Sequence, residues 1–127
     1  WLQGQSQAGT VFRWADDLPV FNQLDGSGNR VAVPALDLYN GNSGNAFGNY
    51  VHDLSIEIGA GNPGAVGMQY HSNNYGSVRN VTIRSLDPDK VGHRGLDLAF
   101  NEPGPWLMKD LTIDGFDTGI VAAPQSY

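Results

Sequence analysis

A chain of 127 residues with a net charge of -6, 16% charged residues and no cysteine suits one domain with a real core and cannot form a disulfide or a thiolate metal site. The acidic balance offers no basic stripe to neutralise phosphates, which excludes a nucleic-acid surface, and no apolar run approaches the ~18 residues of a membrane span. Seventeen glycines signal many tight turns, and the low charge speaks against a long helical bundle.

The chain starts at Trp1 with no initiator Met and no signal-like stretch, so it reads as a mature product or as a piece of something longer. Residues 1–45 look like irregular early turns of a single domain spanning 1–127. Trp1 to Trp14 reads as strand, tight polar turn, strand. Val31 to Tyr39 is a further apolar run in which Pro34 favours an edge or a bend. Asn40 to Asn45 is a polar, Gly-containing loop.

Clear repeats fill 46–127. Val51-His52-Asp53-Leu54-Ser55-Ile56, Val78-Arg79-Asn80-Val81-Thr82-Ile83 and Met108-Lys109-Asp110-Leu111-Thr112-Ile113 share one pattern, with starts 27 and then 30 residues apart. Such a period indicates stacked units. Each unit continues through a turn into a Gly-led strand: Val66 to Tyr70, Gly95 to Ala99 and Gly119 to Ala122. The turn at Gly59–Gly64 lacks the Lys-Ser/Thr and the helix of a phosphate loop. Period-2 alternation sends Leu54/Ile56, Val81/Ile83 and Leu111/Ile113 to a common interior and Ser55, Thr82 and Thr112 outward. It likewise sends Met68/Tyr70, Leu96/Leu98 and Ile120/Ala122 inward and Gln69, Asp97 and Val121 outward. Asp53, Asn80 and Asp110 share a position where Asx residues tolerate left-handed backbone. With no amphipathic helix to supply crossovers, the pattern predicts an all-β fold, a parallel β-solenoid of few turns.

The phrases Leu2-Gln3-Gly4-Gln5-Ser6-Gln7-Ala8-Gly9-Thr10, Asp53 to Gly67, Arg79-Asn80-Val81-Thr82-Ile83 and Gly115-Phe116-Asp117-Thr118-Gly119-Ile120 resemble the pectate-lyase-like, right-handed parallel β-helix superfamily. The flavour is that of proteins related to glycoside hydrolase families 28 and 55. The resemblance covers most of the chain, and its motifs are structural. It implies a secreted or extracellular protein acting on polysaccharide along an exposed groove, with only part of the usual helix length present. The family 28 acids (Asn-Thr-Asp, then Asp-Asp) are missing. Val91-Gly92-His93-Arg94-Gly95 departs from that family's Gly-His-Gly element at Arg94.

Hydrolysis of a glycosidic bond needs two carboxyl groups, about 5–5.5 Å apart for retention or about 6.5–9.5 Å for inversion. Asp97, Asp87 and Asp117 are the candidate catalytic acids, with Asp89, Glu102 and Asp114 nearby in the chain. His93 and Arg94 are candidate substrate-binding residues. Tyr75 and Trp106, in loops that lead into successive repeats, are the candidate aromatic platform, among a wider set of Trp14, Tyr39, Tyr50 and Phe100, although internal packing competes for every large aromatic. A lyase would draw its base or clamp from Arg79, Arg84 and Arg94 and hold a hard cation on Asp87, Asp89 and Asp97, yet the spacing matches no calcium loop. His52, His71 and His93 are too scattered for zinc, so no metal or cofactor is expected. Asn80-Val81-Thr82 matches a glycosylation sequon, though a backbone role suits its place in the repeat.

Two expectations follow. One is an extracellular polysaccharide-associated β-helix protein which, if catalytic, is a hydrolase rather than a lyase. The other is a non-catalytic structural or carbohydrate-binding module that assembles through its open ends, with a copy of itself or with the rest of a longer chain.

Overall fold

In the computed structural model, residues 1–22, 30–35, 46–99 and 105–122 are described, residue 30 by its backbone alone. Among the described residues nine strands follow in chain order: β1 (Leu2–Gln3), β2 (Val11–Trp14), β3 (Arg30–Ala35), β4 (Phe47–Ile58), β5 (Ala65–Tyr70), β6 (Asn73–Ser85), β7 (Arg94–Leu98), β8 (Leu107–Asp114) and β9 (Thr118–Ala122). They form two sheets, one ordered β1-β4-β6-β8 with β2 also paired to β4, the other β3-β5-β7-β9. Every pairing is parallel. The fold is therefore all-β, and the chain alternates between two parallel sheets on successive passes.

The repeats lie in register. Leu54 pairs with Val81 and Val81 with Leu111, while Ile56, Ile83 and Ile113 form the next inward row. Asp53, Asn80 and Asp110 all adopt left-handed backbone, at φ 57°, 53° and 54°. That single residue explains a spacing which plain alternation would forbid. Val51 and Leu54 lie three apart and would face opposite ways on a straight strand, yet both are buried, as are Val78 and Val81. The left-handed corner resets the alternation and bends the sheet around the core. Asx residues occupy it because their side chains bond locally and lower the cost of αL. Asn80 Nδ2 donates to Asp53 Oδ1 at 2.7 Å, and Gln3 Nε2 donates to Asp53 Oδ2. In the first pass a loop from Gly4 to Thr10 replaces the corner residue and separates β1 from β2.

The core holds Val51, Leu54, Ile56, Ile58, Met68, Tyr70, Val78, Val81, Ile83, Leu96 and Leu98, with Phe21 added by a short 3-10 turn at Pro19–Phe21. Asn62, fully buried, ties that segment down. Its Oδ1 accepts from Leu18 N–H at 2.8 Å and its Nδ2 donates to the carbonyls of Ala15 and Gly59. Pro34 does sit on an edge strand, β3. Ile120 was expected to point inward and be covered. It is 51% exposed, because β9 is an edge strand and no described strand follows it. The polar loop at 40–45 and the run from Leu36 to Tyr39 lie outside the described residues, as do Phe100 and Glu102.

One outward row carries alternating charge: Arg13, Glu57, Arg84 and Asp114 are in-register neighbours on β2, β4, β6 and β8. Glu57 is 1% exposed and lies between the two guanidiniums, with Arg13 Nε at 2.6 Å and Arg84 Nε at 2.9 Å. Burial pushes its carboxyl up, but hydrogen bonds from Arg84 and Arg13 outweigh this and the net shift is downward. A lowered folded pKa contributes stability at pH values above the ordinary carboxylate range, and that stability is lost as pH falls through the folded value. Glu57→Gln is expected to cost about 1 kcal/mol at pH 7, since both arginines keep contact with water. The deficit should shrink on acidification below about pH 4.5, read from denaturation midpoints between pH 7 and 3. A deficit independent of pH would refute the ion-pair account.

Candidate functional site

The candidate acids do not converge. Asp97 lies on β7 in the outward row with Gln69 and Val121, yet it is only 6% exposed. Alternation reported its direction and missed its covering. One carboxylate oxygen accepts from Arg94 Nη1 at 3.0 Å and the other from the N–H of Ala99 at 3.0 Å. Arg94 thus serves Asp97.

Asp117 stands opposite His93, as its N–H donates to Gly92 O at 2.7 Å and Thr118 pairs with Arg94. Four residues separate that backbone level from Asp97, about 13 Å along the strand. Asp87 is held at a corner: its Oδ2 accepts from Gly61 N–H and its Oδ1 from Asp89 N–H, both at 2.9 Å. The Gly61 and Asp89 amides hold its carboxyl below the usual carboxylate range, the reverse of the raised pKa that a general acid requires. Asp114 is likewise lowered by its hydrogen bond and ion pair with Lys90 at 2.7 Å.

The two platform residues part company. Trp106 packs edge-on against Tyr70, ring centroids 6.4 Å apart, and lies against the core. Its Nε1 is buried with no hydrogen-bond partner among the described residues. Tyr70 itself donates to Asn49 O at 2.8 Å, and burial pushes its hydroxyl up to about 12. Tyr75, by contrast, is 56% exposed and pairs with Phe47, 49% exposed, at 6.5 Å. A register shift between Phe47 and Asn49 and left-handed backbone at Gly48 (φ 65°) and Asn74 (φ 63°) set this pair. The Tyr75 ring lies over Gly48, where a Cβ would meet Cε2 at 2.7 Å. An irregularity that re-aims a side chain is a common device beside binding sites.

Three residues along β4, about 10 Å, Tyr50 meets Trp1 at 5.7 Å, and His52 lies edge-on to Tyr50 at 5.8 Å. His52 Nε2 shares a 2.7 Å hydrogen bond with Ser77 Oγ. The outward surface around the starts of β4 and β6 therefore presents Trp1, Phe47, Tyr50 and Tyr75 with polar neighbours. Phe47 and Trp1 were not legible as members. Their signals, the left-handed backbone at Gly48 and Asn74 and the pairing of Leu2 with Val51, acquire meaning only once the register is known.

Comparison of the chain with protein-family models, with curated proteins and with solved structures gives no match.

Proposed function

We propose that the chain is part of a right-handed parallel β-helix, extracellular and polysaccharide-associated, which holds glycan on the aromatic surface at the starts of β4 and β6. The alternation between two parallel sheets supports the helix, and nearly all parallel crossover connections are right-handed. The extracellular placement rests on the sequence resemblance. The observation that carries the binding role is the pair of aromatic contacts, Phe47–Tyr75 and Trp1–Tyr50, both outside the core. Rings bearing an apolar face suit the C–H faces of sugars, and His52, Ser77 and Arg79 supply hydrogen-bonding groups beside them. Binding is favoured over hydrolysis because Asp97 is sealed and paired, Asp87 is tied into a turn, and Asp117 stands about 13 Å along the strand from Asp97.

Retention on gels containing soluble glucans, xylans or polygalacturonate tests the reading. Wild-type protein should be retarded by at least one of them, and Phe47→Ala with Tyr75→Ala should weaken retention about tenfold, on the order of the 0.5–1.5 kcal/mol of an aromatic contact. Retention unchanged by the double substitution would remove the platform. Cleavage of a retained glycan that disappears in Asp97→Asn would restore the hydrolase assignment.

A further inference from the structure

The geometry points to a second copy of this chain as the occupant of the β8–β9 edge, stacked head to tail so that its β1, β2 and β3 continue the two parallel sheets. Three rows end at that edge with one member outstanding. The first is a knob-and-hole series. A Cβ on Gly67 would collide with Ile83 Cγ2, and one on Gly95 with Ile113 Cγ2, so β6 and β8 each seat an isoleucine on the glycine of the strand before, β5 or β7. Gly119, next in line, has nothing within 4 Å of that position among the described residues. The second is the charge row Arg13, Glu57, Arg84, Asp114, in which a further cation would join the Lys90 ammonium that already holds Asp114 Oδ1. The third alternates amide and carboxylate, Gln3, Asp53, Asn80, Asp110, in which Gln3 and Asn80 donate to Asp53, and it calls next for an amide.

The opposite edge of the same molecule offers all three. Phe12 is in register with Ile56, Arg13 with Glu57, and Gln3 with His52, beside Asp53. A second copy placed in that register would set Phe12 over Gly119, Arg13 beside Asp114 and Gln3 within reach of Asp110. Its cleft of about 310 Å³, lined by Leu2, Val33, Ala35 and Val51, would close against Met108 and Ile120, the positions in register with Val51 and Val33. Exposed Leu107 and Ile120 would gain a neighbouring strand. Pro34 lacks an N–H, so the β9–β3 junction forms one ladder bond fewer than an uninterrupted pair of strands. An association of unlike edges does not close on itself and grows beyond the dimer.

Sedimentation velocity of the full chain from micromolar to millimolar concentration is the test. Wild-type protein should show mass rising with concentration past the dimer. Ile120→Lys and Gly119→Val alter groups that are open in the single copy. Each should weaken association about tenfold or more while leaving the unfolding midpoint of the dilute monomer unchanged. A monomer at every concentration, an assembly that stops at a dimer, or association indifferent to both substitutions would overturn the proposal. Glycan retention by such a monomer would leave the polysaccharide reading standing, since Phe47 and Tyr75 are exposed on β4 and β6 and do not line that cleft.

Discussion

Ile83→Ala is expected to lower stability by about 2–5 kcal/mol, the range for truncating a buried aliphatic side chain. Ile83 is fully buried on β6, in register between Ile56 and Ile113, and its Cγ2 fills the space left by Gly67. The site has little means of collapsing, because its walls are parallel strands bonded on both sides. The cost should therefore fall in the upper half of the range, seen as a lower denaturation midpoint without a change in slope. Ile113→Ala offers the contrast. Its residue is only half-buried on the edge strand β8, so the loss should be clearly smaller. Equal losses at the two positions would contradict the described burial.

Gly67→Ala and Gly95→Ala are the second large pair, at about 1–3 kcal/mol each. The added methyl at Gly67 would meet Ile83 Cγ2 and lie 2.8 Å from Gly95 O; at Gly95 it would meet Ile113 Cγ2 and lie 2.8 Å from Gly119 O. A backbone oxygen in a parallel ladder cannot step aside without moving its strand. Gly119→Ala provides the internal control, because its position is open, and its effect on the dilute monomer should stay within about 0.5 kcal/mol. Combining Gly67→Ala with Ile83→Ala should cost less than the sum of the two, since the second removes half of the collision. A strictly additive pair would show that the contact is not shared.

The same residues show how much the sequence discloses. The triple repeat was legible because each position is under one local demand: a corner at Asp53, Asn80 and Asp110, a core row at Ile56, Ile83 and Ile113. The inward rows beyond the corner, Leu54 with Ile56 and Val81 with Ile83, followed directly, whereas the row before it, Val51 and Val78, did not. The charge row was not legible. Arg13 lies in a first pass whose β1 and β2 are split by the Gly4–Thr10 loop, so its register with Glu57 could not be counted from the repeat. Asp97 shows a different limit, since period-2 alternation gives the direction of a side chain but not what seals it. Tyr75 was named from its loop position, whereas its partner Phe47 depended on a shift in register that no periodicity announces.

The corner residues and the parallel rows also set the order in which the chain acquires its shape. Partners such as Leu54 and Val81, or Val81 and Leu111, are separated by a whole pass of chain, so no strand can find its neighbour through a short hairpin. Each loop must close before its ladder bonds compensate the lost chain entropy. Folding should be slow for a chain of this length and should spread outward from β4 and β6, which at 12 and 13 residues are the longest of the described strands. The edges of the folded protein are then also its last-formed parts, and a new pass is added to a finished template by the same step that built the previous one.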